Sequence, residues 1–113
     1  MNHPILGPLT PDPFGKLFST SFQNFDAPTG IDGLCKITGD KLELLAVYSE
    51  HDGQGNFRRF IADCKTHFAT ICIWQVDSRI LQACLPRYGF RTWSEKQQVS
   101  GEWQVLDGFR WDK

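Results

Sequence analysis

This 113-residue chain lacks three things, and each absence narrows what it does. No apolar run approaches the about 18–20 residues that a membrane helix needs, so no membrane role is expected. Lys and Arg number 12 against 13 acids, a net charge of −1. A dedicated nucleic-acid binder carries a basic excess, so no nucleic-acid partner is expected either. The third absence is a metal or redox motif. Cys35, Cys64, Cys72 and Cys84 form no Cys-x-x-Cys pair, and His3, His51 and His67 do not flank them at metal-ligand spacing. The cysteines read as reduced thiols, most of them on apolar faces. The opening Met-Asn-His-Pro-Ile-Leu-Gly-Pro has no basic region followed by an apolar one, so no signal peptide is expected and the default setting is the cytoplasm. Neither an internal repeat nor a low-complexity segment is visible, and the length fits one domain over residues 1–113.

What is present is a run of alternating elements. Residues 1–15 hold four prolines (Pro4, Pro8, Pro11, Pro13) and read as an extended arm. In residues 16–25, Leu17 or Phe18, Phe22 and Phe25 fall near helical spacing and predict a short helix on a sheet. Ala27 to Gly33 reads as loop. Leu34–Thr38, the Gly39-Asp40 pair and Lys41–Tyr48 predict a β-hairpin, its second strand apolar enough to be covered on both faces. Phe57, Phe60, Ile61, Cys64 and Phe68 make one face of a helix over 56–68. Thr70–Val76 is β-branched and apolar, a second buried strand, so that strand 41–48, helix 56–68 and strand 70–76 form a βαβ unit with parallel strands. Asp77 or Ser78 can cap a helix from Arg79 to Leu85, which Pro86 cuts short. Phe90–Val99 and Glu102–Trp111, with Ser100-Gly101 between them, predict an antiparallel pair rich in tryptophan.

Chemistry concentrates in the loop between strand 41–48 and helix 56–68. Gly53 and Gly55 lie between a strand end and a helix start. Glycines there let the backbone approach an anion, and the free N–H groups of the first helical turn point at it, which suits a phosphate. Arg58 and Arg59 in that turn can reach phosphate oxygens or simply face water.

The order of hairpin, Gly-x-Gly loop, helix, parallel strand, short helix, Tyr-Gly-Phe and final hairpin resembles the GNAT superfamily of N-acetyltransferases over roughly residues 34–113. Val47 matches the family's strand end, Asp52-Gly53-Gln54-Gly55-Asn56-Phe57 overlays its Gln/Arg-x-x-Gly-x-Gly/Ala loop, and Gly89-Phe90 matches its Gly-Phe. Asp52 and Phe57 depart from the loop pattern. Residues 1–33 are shorter than the family's acceptor region. The resemblance implies an α/β (α+β) fold, a mixed twisted sheet with helices on both faces and a C-terminal antiparallel hairpin.

It also implies acetyl-CoA as cosubstrate and an amine acceptor of unknown identity, with a homodimer left open. The pantetheine arm would pair with backbone groups of Ala46 and Val47, in the splay between the two parallel strands. The pyrophosphate would sit on Asp52, Gly53, Gln54, Gly55, Asn56, Phe57 and Arg58. Some members place a general base where Glu43 stands; the other reading of Glu43 is a strand residue paired with a lysine such as Lys41. The family's general-acid tyrosine is replaced by Leu85. Tyr88, three residues on, either substitutes for it or packs on the sheet. A non-catalytic module of the same fold is therefore the alternative. A P-loop hydrolase fits poorly because no Lys-Ser/Thr follows the glycines, and a Rossmann domain because the glycines come late and only one βαβ unit follows.

Overall fold

The computed structural model describes residues 2–11, 22–49, 55–99 and 101–113. Among the described residues, eight strands form a mixed sheet: β1 (Asn2–His3), β2 (Gly7–Pro11), β3 (Gln23–Asp26), β4 (Ile31–Thr38), β5 (Lys41–Ser49), β6 (Thr70–Trp74), β7 (Arg91–Val99) and β8 (Glu102–Asp112). Two helices, α1 (Asn56–His67) and α2 (Arg79–Cys84), accompany them, and a 3₁₀ turn over Leu85–Tyr88 prolongs α2. The fold is α+β and dominated by sheet.

The spatial order is β1-β2-β3-β4-β5-β6-β8-β7. Every adjacent pair is antiparallel except β5 and β6, which run parallel from Lys41↔Thr70 to Leu45↔Trp74 and are joined through α1. A parallel pair needs a crossover of this kind, because its strands start at the same end of the sheet. Gly39 and Asp40 turn β4 into β5, with Gly39 at φ 59°. β8 lies between β6 and β7, pairing Ile73 with Phe109 on one side and Leu106 with Glu95 on the other.

Alternation along β5 and β6 builds two cores. Leu42, Leu44, Ile71 and Ile73 meet Phe60, Ile61 and Cys64 of α1, together with Leu85, Phe90, Phe25 and Leu6. On the opposite face Leu45, Cys72 and Trp74 meet Phe22 and Leu106. β6 is thus buried on both sides, as its β-branched run predicts. Phe60 is fully buried and its ring stacks on Phe25 at 5.7 Å. Truncating it to alanine would cost about 3–5 kcal/mol, the usual loss for a core aromatic.

Three expectations need correction. The proline-rich arm is no free extension: β1 and β2 pair with each other, and β2 pairs with β3. Within 16–25, residues 16–21 lie outside the described residues, whereas Gln23–Asp26 is strand and not helix. Phe22 enters one core and Phe25 the other. Phe22 directly precedes β3 and Phe25 lies within it, so the apparent helical spacing served two faces of the sheet. Finally, α1 and Leu81 of α2 both pack against the first core, and no described helix packs on the second. Helices on both faces are therefore not found among the described residues.

Candidate functional site

β5 changes character after Leu45. Asp32 pairs with Tyr48 and Leu34 with Leu45, so Ala46 and Val47 stand opposite the single residue Gly33. This is a β-bulge, one extra residue that bends the strand. Ala46 takes up the bend at φ 53°, a left-handed conformation uncommon for alanine. Gly33 is needed opposite: a Cβ there would sit 2.6 Å from the Ala46 carbonyl oxygen.

The partner strand breaks at the same level. The β5–β6 ladder ends at Leu45↔Trp74, and the next residue of β6, Gln75, is also left-handed at φ 53°. Its N–H is drawn away to the Asp107 carbonyl oxygen at 2.8 Å. The two parallel strands therefore part, and a cavity of ≈ 150 Å³ opens between them, lined by Ala46, Val47, Trp74, Gln75, Ser78 and Leu81 among others. Among the described residues, Ala46 and Val47 have no register partner on β6. Ser78 closes the far side as the N-cap of α2, its Oγ accepting from the Leu81 N–H at 3.3 Å.

α1 starts close by in sequence. Gly55 is its N-cap at φ 73°, left-handed, and supplies no side-chain cap. The first intrahelical bond runs from the Arg59 N–H to the Gly55 carbonyl. The N–H groups of Asn56, Phe57 and Arg58 precede that bond and have no acceptor inside the helix. The first turn holds no acid. Asn56 is buried, its amide oxygen accepting from Arg59, while Arg58 is exposed. Phe57 is half-buried and turned to the first core, 6.5 Å from the Tyr88 ring. Of the loop residues singled out in the sequence, Gly55, Asn56, Phe57 and Arg58 are thus at the helix start. Asp52, Gly53 and Gln54 lie outside the described residues.

Neither residue singled out for catalysis lines the cavity in the splay. Glu43 is on the second face, only 3 % exposed. Its Oε1 accepts from the Trp74 indole at 3.1 Å and from Gln97 Nε2 at 2.8 Å, while Lys36 Nζ lies 4.0 Å from Oε2. The lysine beside it is Lys36, its cross-strand neighbour; Lys41 instead reaches Glu95 at 3.5 Å. Tyr88 packs at the edge of the first core, and its carbonyl oxygen accepts from Lys65. Leu85, where the resemblance expects a tyrosine, is fully buried.

Sequence reasoning missed the Gln75 break and the residues beyond it. Their one visible signal was the change from a β-branched run to Gln75-Val76-Asp77-Ser78. Three of the thiols are inert by burial: Cys35 and Cys72 are pushed up to about 11, and Cys64 to about 12. No described helix is long and apolar enough to cross a membrane. Neither the protein-family models nor the curated proteins compared with this chain match it.

Proposed function

We propose that the protein is an acetyl-CoA-dependent N-acetyltransferase of GNAT-like architecture, acting on a primary amine. The observation that carries this reading is the coincident break in the two parallel strands. Ala46 and Gln75 are both left-handed at φ 53°, and the ladder stops between them, leaving a cavity where the resemblance calls for a pantetheine arm. The start of α1, where Gly55 supplies no side-chain cap, adds the second half of a cofactor cradle. An extended pantetheine amide can pair with Ala46 and Val47 as an added strand, and the diphosphate can take the N–H groups of residues 55–58. With the thioester held in the splay, an amine attacks its carbonyl carbon. The nitrogen would form the new C–N bond, the C–S bond would break with coenzyme A leaving as its thiolate, and the amine proton would pass to a base. Glu43 is the one buried carboxylate among the described residues and is the proposed base.

A second reading, a non-catalytic module binding an acyl-CoA, is favoured by two specific facts. Leu85 brings no proton to a departing thiolate, and the Glu43 carboxylate is already engaged by two donors. The deciding experiment titrates acetyl-CoA calorimetrically into wild type, Gly55→Val and Gly55→Asn. Among the described residues no atom lies within 4 Å of a Cβ placed on Gly55, and asparagine tolerates the left-handed backbone that valine does not. Valine should cost about 2 kcal/mol or more of affinity by blocking the anion's approach and straining the cap. Asparagine should bind closer to wild type. Equal affinity for all three means that the loop is only a turn, and no binding at all sinks both readings. Binding without acetylation of any amine in a panel leaves the second.

A further inference from the structure

The N-terminal arm, Asn2 to Pro11, is lightly tied to the sheet. β1 meets β2 at two register pairs and β2 meets β3 at three, against seven between β4 and β5. Pro4, Pro8 and Pro11 bring no N–H to the arm. Its apolar anchors are Leu6, fully buried, and Leu9, both in the first core, with Ile5 packed against that core. The Leu6 carbonyl also accepts from the Asp26 N–H at 3.2 Å, at the end of β3. One side chain holds the turn that carries Leu6 inward. His3 Nδ1 accepts from the N–H groups of Ile5 at 3.1 Å and Leu6 at 3.2 Å. An imidazole nitrogen accepts only while it carries no proton, so the neutral ring is the form that builds this turn. The half-buried ring stacks on Phe68 at 5.7 Å and meets the His67 ring edge-on at 4.8 Å.

We infer that His3 is an acid-sensitive latch, whose protonation releases the β1–β2 arm while the rest of the fold stays closed. Three changes act together when the proton arrives. Nδ1 becomes a donor, so the Ile5 and Leu6 N–H groups lose their acceptor and face a third N–H. A charge appears on a ring that Phe68 walls off from water on one side. That charge also stands against His67, in the last turn of α1. β2 across from His3 is Gly-Pro-Leu-Thr-Pro and brings no charged group, and α1 brings His67. Burial first and His67 second lower the His3 pKa from 6.5, the direction expected of a ring that folds neutral. The latch is therefore closed above pH 6.5 and opens as pH falls through the lower folded value. Opening stays local because β3, β4 and β5 keep their own ladders when the arm leaves. Leu6 and Leu9 then quit the first core, and β3 becomes the edge of the sheet.

The test follows amide hydrogen exchange by NMR from about pH 7.5 to about pH 5, expressed as protection factors so that the pH dependence of the exchange chemistry drops out. In wild type, protection at Ile5, Leu6 and Asp26 should fall by up to about tenfold per pH unit below the His3 pKa, the linkage of one proton. Leu44 and Ile73, in the paired strands β5 and β6, should hold theirs over the same range. His3→Asn keeps an oxygen that can accept in the same turn and does not titrate, so its protection should be flat with pH. His67→Gln, at an exposed position, removes the opposing charge and should move the fall to higher pH. Three results overturn the inference. They are flat protection across the arm in wild type, a fall that Leu44 and Ile73 share, and the same fall in His3→Asn. The first and second need no variant, so the outcome does not depend on how well either substitution folds.

Discussion

Replacing Glu43 tests what its carboxylate is for. In the wild type one oxygen accepts two donors, the Trp74 indole and the Gln97 amide, in a site 3 % exposed. Hydrogen bonds to a charged acceptor contribute about 1.5–3 kcal/mol each and neutral ones about 0.5–1.5. Glu43→Gln retains an oxygen for both donors, so it weakens two bonds and removes the desolvation cost of the charge. The net loss should be about 1 kcal/mol. Glu43→Ala removes the acceptor. Trp74 is 1 % exposed, and its indole N–H would find neither water nor oxygen. That orphaned donor adds about 1–3 kcal/mol to the lost packing, for a total of about 3–5 kcal/mol. Urea unfolding followed by tryptophan fluorescence gives the ranking. A double-mutant cycle with Trp74→Phe should return a coupling of about 1–2 kcal/mol. Alanine as cheap as glutamine, or a coupling near zero, would refute the hydrogen-bond reasoning. The same glutamine variant then reports on catalysis. If Glu43 is the base, turnover on an accepted amine falls by about a hundredfold or more, and the deficit shrinks at high pH where free amine is abundant. An unchanged rate leaves Glu43 as a structural partner of Trp74.

Three further outcomes follow. Gly33→Ala, which drives a Cβ against the Ala46 carbonyl at a backbone φ of 154°, should destabilise by about 2 kcal/mol or more and weaken acetyl-CoA binding, measured by denaturation and calorimetry; a silent change would mean the bulge yields freely. His3 has its pKa lowered from 6.5 by burial first and by neighbouring His67 second, so the folded state prefers it neutral; its Nδ1 accepts from the Ile5 and Leu6 N–H groups. Its contribution is complete above pH 6.5 and is lost as pH falls through the lower folded value. The melting temperature of wild type should therefore drop more steeply below pH 6.5 than that of His3→Phe, and parallel curves would refute this. A thiol reagent at pH 8 should label at most Cys84 quickly, the one half-buried cysteine, and all four only in denaturant; rapid labelling of Cys64 would contradict its burial.

The middle and end of the fold were legible because their local signals agreed with the tertiary answer. Gly39-Asp40 announces its turn, the face of Phe60, Ile61 and Cys64 announces α1, and the apolar runs of β5 and β6 announce a pair covered on both sides. The first third was not, since its signals conflict. Pro8 and Pro11 lie within β2, where proline argues against a strand, and Gly33 inside β4 looks like a loop until its bulge partner is known. Part of the site could be read: Gly55 where the loop meets α1, and Ala46–Val47 in the last part of β5. The rest could not, because nothing about alanine or glutamine foretells a positive φ. Such angles are imposed by what stands opposite, here Gly33 across from Ala46 and the Asp107 carbonyl above Gln75.

The placement of β8 bears on how the chain is made. The last strand in sequence is an interior strand in space, flanked by β6 and β7. As the chain emerges from N- to C-terminus, β6 is complete long before its second neighbour exists. Until Glu102–Asp112 arrives, the row from Ile71 to Trp74 has one open edge, and β7 has no strand to pair with. An open apolar edge is a template for other chains. Synthesis therefore passes through a vulnerable interval that ends only when the final hairpin folds back. A chain cut before Glu102 would remain in that interval, prone to aggregate, even though every residue of the proposed cofactor site had already been made.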